Sequence, residues 1–146
     1  MYVLFKSSFT FCSKVRIEND SEGHSYETLF GRFFESDVIE VAIEDPYIRA
    51  HHQIINLLRL CELMVKKCPD LKTVIVRTSR DPQNPSEQAN KFEEINKSLS
   101  KRGKGVGLKV EFSETMHDRE IKLSTGWIIK IGRGLDIYKA ASRYGH

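Results

Sequence analysis

A chain of 146 residues with 40% hydrophobic and 29% charged residues has the composition of one globular domain, not of a disordered or fibrous protein. Three cysteines without Cys-x-x-Cys spacing exclude a disulfide scaffold, and no apolar run approaches the roughly 20 residues of a membrane-spanning helix. The net charge of +3 is unevenly placed: residues 101–146 carry ten Lys and Arg against five acids, net +5, so the first hundred residues carry −2.

Met1 to Cys12 lacks a basic n-region and a cleavage site, so no signal peptide is expected and the cytosol is the expected compartment. Residues 1–14 receive no assigned element and read as an N-terminal extension, with the domain over 15–146. Val15 to Glu18 is the first expected strand, at a sheet edge. Ser25 caps a predicted helix whose apolar face is Leu29, Phe30, Phe33 and Phe34. Val38 to Ile43 reads as a buried strand ended by Pro46. Ala50 to Lys67 is the longest helix, with Ile54, Leu57, Leu58, Cys61, Met64 and Val65 on its core face.

Thr73 to Thr78 is β-branched and strand-like. Asn84 and Pro85 mark the start of a helix that buries Ala89, Phe92, Ile95 and Leu99 and stops at Gly103. Leu108, Val110 and Phe112 alternate with charged residues, as in a half-buried strand. Strands at Glu120 to Leu123 and Trp127 to Ile131 flank Ser124-Thr125-Gly126, a hairpin turn. The order predicts an α/β fold, a single-domain mixed sheet flanked by helices, with ligands beyond the carboxyl ends of the strands.

Three segments carry polar chemistry. In Asp45-Pro46-Tyr47-Ile48-Arg49, Pro46 ends pairing and turns Tyr47 and Arg49 toward the sheet end, where Arg49 suits an anion. In His117-Asp118-Arg119, the His and Arg share one side of a strand and suit a phosphate. In Gly126 to Asp136, two glycines flank Arg133, although neither a dinucleotide fingerprint nor a P-loop is present. No metal or cofactor is expected, since His51 and His52 are adjacent and sit about 100° apart on a helix.

These segments, with Gly23-His24-Ser25-Tyr26-Glu27-Thr28-Leu29-Phe30, resemble the phospholipase-D-like domain found at the C-terminus of MIT-domain-containing proteins, from about Val15 to Arg143. The resemblance implies a phospholipase-D-like fold that has lost hydrolysis, a homodimer, and binding to acidic phospholipid membranes. It also implies an ESCRT-III-linked adaptor acting in cytokinetic abscission, cytoplasmic and peripheral on endosomal membrane or midbody. Active phospholipases D carry His-x-Lys-x4-Asp twice. Here one copy is found: His117 fits the His, Arg119 replaces the Lys and Ser124 stands at the Asp position.

The expected phosphate and lipid contacts are Arg119, Lys130, Arg133 and Lys139, with Lys101, Arg102 and Lys104 as a second cluster. Asp45, Tyr47, Arg49, His117, Asp118 and Asp136 are expected to be supporting residues of a relic site. The alternative is a dimeric phosphodiesterase or nuclease using His117 from each of two chains. A nucleic-acid partner is disfavoured because few aromatics interleave with the basic residues. No three-helix MIT module is read in these residues, so ESCRT-III contact is expected through a module outside them, and the family domain is expected to continue past His146.

Overall fold

The computed structural model describes residues 2–7, 11–16, 31–102, 105–117 and 119–130. In chain order they form β1 (Tyr2–Ser7), β2 (Phe11–Arg16), β3 (Glu40–Glu44), α1 (His51–Lys67), β4 (Thr73–Thr78), α2 (Pro85–Arg102), β5 (Gly107–Phe112), β6 (Glu120–Leu123) and β7 (Trp127–Lys130). The strands make one mixed sheet in the order β2-β1-β7-β6-β3-β4-β5.

The centre is a β-α-β-α-β unit, because β3, β4 and β5 run parallel and adjacent. Right-handed crossovers between sequential neighbours place α1 and α2 on the same face. The burial pattern agrees. Val41 and Ile43 of β3, Val74 and Val76 of β4, Ile121 and Leu123 of β6 and Ile129 of β7 are buried in one core with the helices. β6 returns antiparallel beside β3, and β7 follows through a turn where Gly126 takes φ 103°, a backbone that favours glycine.

α1 buries Ile54, Leu57, Leu60, Cys61, Leu63 and Met64, while Leu58 and Val65, expected in the core, lie at its margin. α2 buries Phe92, Ile95 and Leu99 as its spacing predicts. Its fourth buried residue is Gln88, not Ala89, which is exposed. A polar side chain displaces the alanine because it has backbone groups to satisfy at the sheet end, as shown below.

The expected strand at Val15 to Glu18 lies earlier, as β2, and is the edge strand. The preceding residues supply β1, which pairs antiparallel with β7 from Tyr2 opposite Lys130 to Phe5 opposite Trp127. The helix predicted from Ser25 falls mostly outside the described residues. At its end, a 3-10 turn at Gly31–Phe33 buries Phe33, whose ring meets Trp127 edge-on at 4.7 Å. Among the described residues no helix is long and apolar enough to cross a membrane.

Candidate functional site

The parallel strands β3 and β4 end together, and the antiparallel register of β3 with β6 places Glu44 opposite Glu120. This brings the turn after β3 beside the segment entering β6. Asp45, Tyr47 and Arg49 therefore share one end of the sheet with His117 and Arg119. Two of the segments singled out in the sequence thus meet, although they lie about seventy residues apart.

Each residue here has an identifiable restraint. Asp45 is 4% exposed, and its Oδ1 accepts the Tyr47 amide at 2.9 Å, closing an Asx turn around Pro46. The Ile48 amide donates to Thr78 Oγ1 at 3.2 Å. Ser79, just past β4, donates its hydroxyl to the Pro46 carbonyl and accepts from an Arg49 Nη. Gln88 reaches in from α2. Its amide nitrogen donates to the carbonyls of Ile48 and Ser79, each at 3.0 Å, and its oxygen accepts the Asp81 amide at 2.8 Å. Gln88 is therefore a brace between the turn after β3 and the loop after β4. Neither Ser79 nor Gln88 is marked by sequence pattern, except that Ser79 immediately follows a strand that ends at the ligand-binding edge.

The exposed ring of Tyr47 carries two guanidiniums: Arg119 at 5.0 Å and Arg49 at 5.8 Å from its centroid. Arg80, at the same sheet end, lies 4.1 Å over the ring of Phe112. Such contacts hold a guanidinium in place without neutralising it. Among the described residues, neither Arg49 nor Arg80 forms an ion pair with a carboxylate. His117 is exposed beside this group.

The helix-free face of the sheet is different. Register places Lys130, Glu120, Glu44, Arg77 and Glu111 in one row across five strands, with Lys122 in the next row. Lys130 binds Glu120 at 3.4 Å, and Lys122 reaches both Glu120 at 3.7 Å and Glu44 at 3.3 Å. Arg77 binds Glu44 at 2.7 Å and Glu111 at 2.8 Å. Hydrogen bonds to Glu111 first, and then Glu44, push the Arg77 guanidinium pKa further up. Glu44 and Glu120 face each other directly, which is repulsive alone. The intervening cations make the row an alternating ladder.

The expected contacts are therefore divided. Arg119 belongs to the sheet end. Lys130 belongs to the ladder. Lys101 is exposed at the end of α2, and Arg102 beside it is paired with Glu62 of α1. Lys104, Asp118, Arg133, Asp136 and Lys139 lie outside the described residues. Ser124, at the Asp position of the degenerate motif, sits at the opposite end of β6 from His117. Its Oγ accepts the amides of Ile39 at 3.0 Å and Glu40 at 3.3 Å. It fastens the hairpin to the start of β3. Among the described residues no group of three His, Cys, Asp or Glu side chains is arranged to hold a metal ion.

Residues 23–145 match the family model described as a phospholipase D-like domain at the C-terminus of MIT. MIT domain-containing protein 1 of Mus musculus is 44% identical to this chain over 127 residues, which cover 86% of this chain and 50% of the mouse protein. The chain thus spans about half the length of this curated relative.

Proposed function

Since the chain belongs to the family of phospholipase D-like domains at the C-terminus of MIT proteins, we propose that it is a non-catalytic module that binds acidic phospholipid membranes. The observation that carries this reading is the sheet end, where Arg49, Arg80 and Arg119 are held on aromatic rings. A lysine or arginine near an acidic bilayer contributes on the order of 1 kcal/mol, so a few such cations acting together give useful attachment. Exposed Tyr47 adds an amphipathic ring of the kind that settles at a lipid headgroup boundary.

The absence of hydrolysis in this reading follows from the residues around His117. Arg119 keeps the charge of the motif lysine but spreads it over a planar fork, held against Tyr47. Ser124 is committed to backbone amides at the far end of β6, so no carboxylate stands at that motif position. In the wider reading the module works as a homodimer within an ESCRT-III-linked adaptor in cytokinetic abscission. It is then peripheral on endosomal membrane or midbody, with ESCRT-III contacted through another module.

Vesicle co-sedimentation tests the proposal, comparing neutral with acidic lipid at low and high salt. Binding should require acidic lipid, weaken with salt and fall in the Arg119→Ala/Lys130→Ala/Arg133→Ala variant. Equal binding to neutral vesicles sinks it. The exposure of His117 supports a second reading, in which His117 from each of two chains forms a phosphodiesterase site. That reading requires turnover of a phosphodiester reporter that disappears in His117→Ala.

A further inference from the structure

A polar cavity of about 190 Å³ opens between the first turns of α1 and α2, beyond the ends of β3 and β4. Its walls include Arg49, His51, Asp81, Glu87, Gln88 and Lys91. It is distinct from the Arg119 and His117 side of the sheet end and shares only Arg49 with it.

Arg49 is the informative residue. Its guanidinium is fixed at two points: an Nη donates to Ser79 and the group lies 5.8 Å from the Tyr47 ring centroid. Its Nε is shut off from solvent and has no hydrogen-bond partner. A buried donor on a permanent cation is costly to leave unmade, and native folds rarely do so without cause. The acceptors nearest in the wall are already engaged. Gln88 Oε1 accepts the Asp81 amide, and Asp81 Oδ1 accepts the amides of Gln83 and Asn84. Lys91 is bound only to Glu87 at 3.3 Å, a pair one helical turn apart in which the glutamate is 62% exposed. Such a pair is weak and readily exchanged. Donors thus approach the cavity from Arg49, Lys91 and His51, which lie on different sides of it.

We propose that this cavity binds a phosphoryl group, with Arg49 and Lys91 as its charged contacts and His51 as a third donor. A tetrahedral oxyanion offers acceptors in several directions at once, whereas a carboxylate presents two in one plane. This does not depend on the membrane reading. The phosphoryl group can be free in solution or part of a lipid headgroup.

The test uses the whole chain with ¹⁵N-labelled arginine, following the Arg49 Nε–H signal during titration with inorganic phosphate and, separately, acetate. A saturable shift with phosphate, weakened about tenfold in Lys91→Gln, is the expected result. Arg49→Gln should abolish binding. Because Arg49 also holds Ser79, that variant is paired with Lys91→Gln, which touches no part of the turn and should melt like the wild type. A parallel arm compares phosphatidylcholine vesicles carrying phosphatidic acid with vesicles of matched charge carrying phosphatidylserine. Preference for phosphatidic acid that is lost in Lys91→Gln identifies the headgroup as the source. A phosphate response without that preference identifies a soluble source. Absence of a saturable response to phosphate together with absence of that preference overturns the proposal, as does an equal response to acetate. Failure of the wild type to bind any acidic vesicle removes the membrane reading while leaving the phosphate titration decisive for the cavity.

Discussion

The helix-free face and the carboxyl end of the sheet hold their cations by opposite means. On the face, Arg77, Lys122 and Lys130 are each matched to glutamates across neighbouring strands. At the end, Arg49 and Arg119 rest on Tyr47 and Arg80 on Phe112. A paired cation has already used its field on its partner. A stacked one is held in position with its charge still available. Positive charge in a sequence therefore does not locate a binding surface until register shows which charges are answered. Lys130 and Arg102 look like contacts in the sequence, yet both have glutamate partners in the fold.

The sharpest way to break this comparison is through the brace beneath the sheet end. Gln88→Leu leaves the Ile48 and Ser79 carbonyls and the Asp81 amide without their partner. It should cost about 3 kcal/mol in chemical denaturation. Acidic-vesicle binding should be lost with the end, while the ladder strands keep their order. A variant as stable as the wild type shows that the arginines need no such support. Next, Arg77→Met removes the cation between Glu44 and Glu111, with Glu44 only 12% exposed. About 1–2 kcal/mol should disappear, allowing for screening of a partly exposed pair. Vesicle binding by the folded protein should be unchanged. A fall in binding with stability intact transfers the functional surface to the ladder.

The contrast sharpens with matched pairs of charge removals. Arg49→Gln/Arg119→Gln should weaken co-sedimentation with acidic vesicles about tenfold or more, at roughly 1 kcal/mol per cation. Lys130→Gln/Arg102→Gln should weaken it less than about twofold, since both cations are already paired. Equal losses from the two pairs erase the distinction.

The smallest effect concerns the core both regions share. Burial, reinforced by Glu62, pushes the Cys61 thiol up to about 12, and burial with Asp37 raises Cys68 to about 11. Both thiols stay protonated in the fold where the unfolded chain loses the proton above pH 9, so stability should fall as pH rises from 9 toward 12. At neutral pH there is no such contribution, and alkylation followed by mass spectrometry should find both thiols unreactive until the protein unfolds. Prompt labelling at pH 7 contradicts their burial.

Much of the fold is legible in the sequence because β3 through β5 and their two helices are local. Apolar periodicity marks α1 and α2, Pro46 ends the strand reading after β3, and Pro85 opens α2. The turn at Asp45 to Arg49 is legible for the same reason. Register is not. The meeting of Tyr47 with Arg119, and the ladder from Lys130 to Glu111, depend on which strand lies beside which. Gln88 is hidden because a hydrophobic stripe favours Ala89, and only the unsatisfied carbonyls at the sheet end explain the substitution of a polar brace. β1 is missed because its short apolar run has no local partner other than β2, and its other neighbour is β7.

That last pairing has a consequence for assembly. The β3–β4–β5 unit closes through short crossovers and can form early, whereas joining β1 to β7 closes a loop that spans nearly the whole described chain. As the protein is synthesised, the first strand emerges long before the strand that will hold it. Its hairpin with β2 must wait, docking onto a sheet that the rest of the chain has already built.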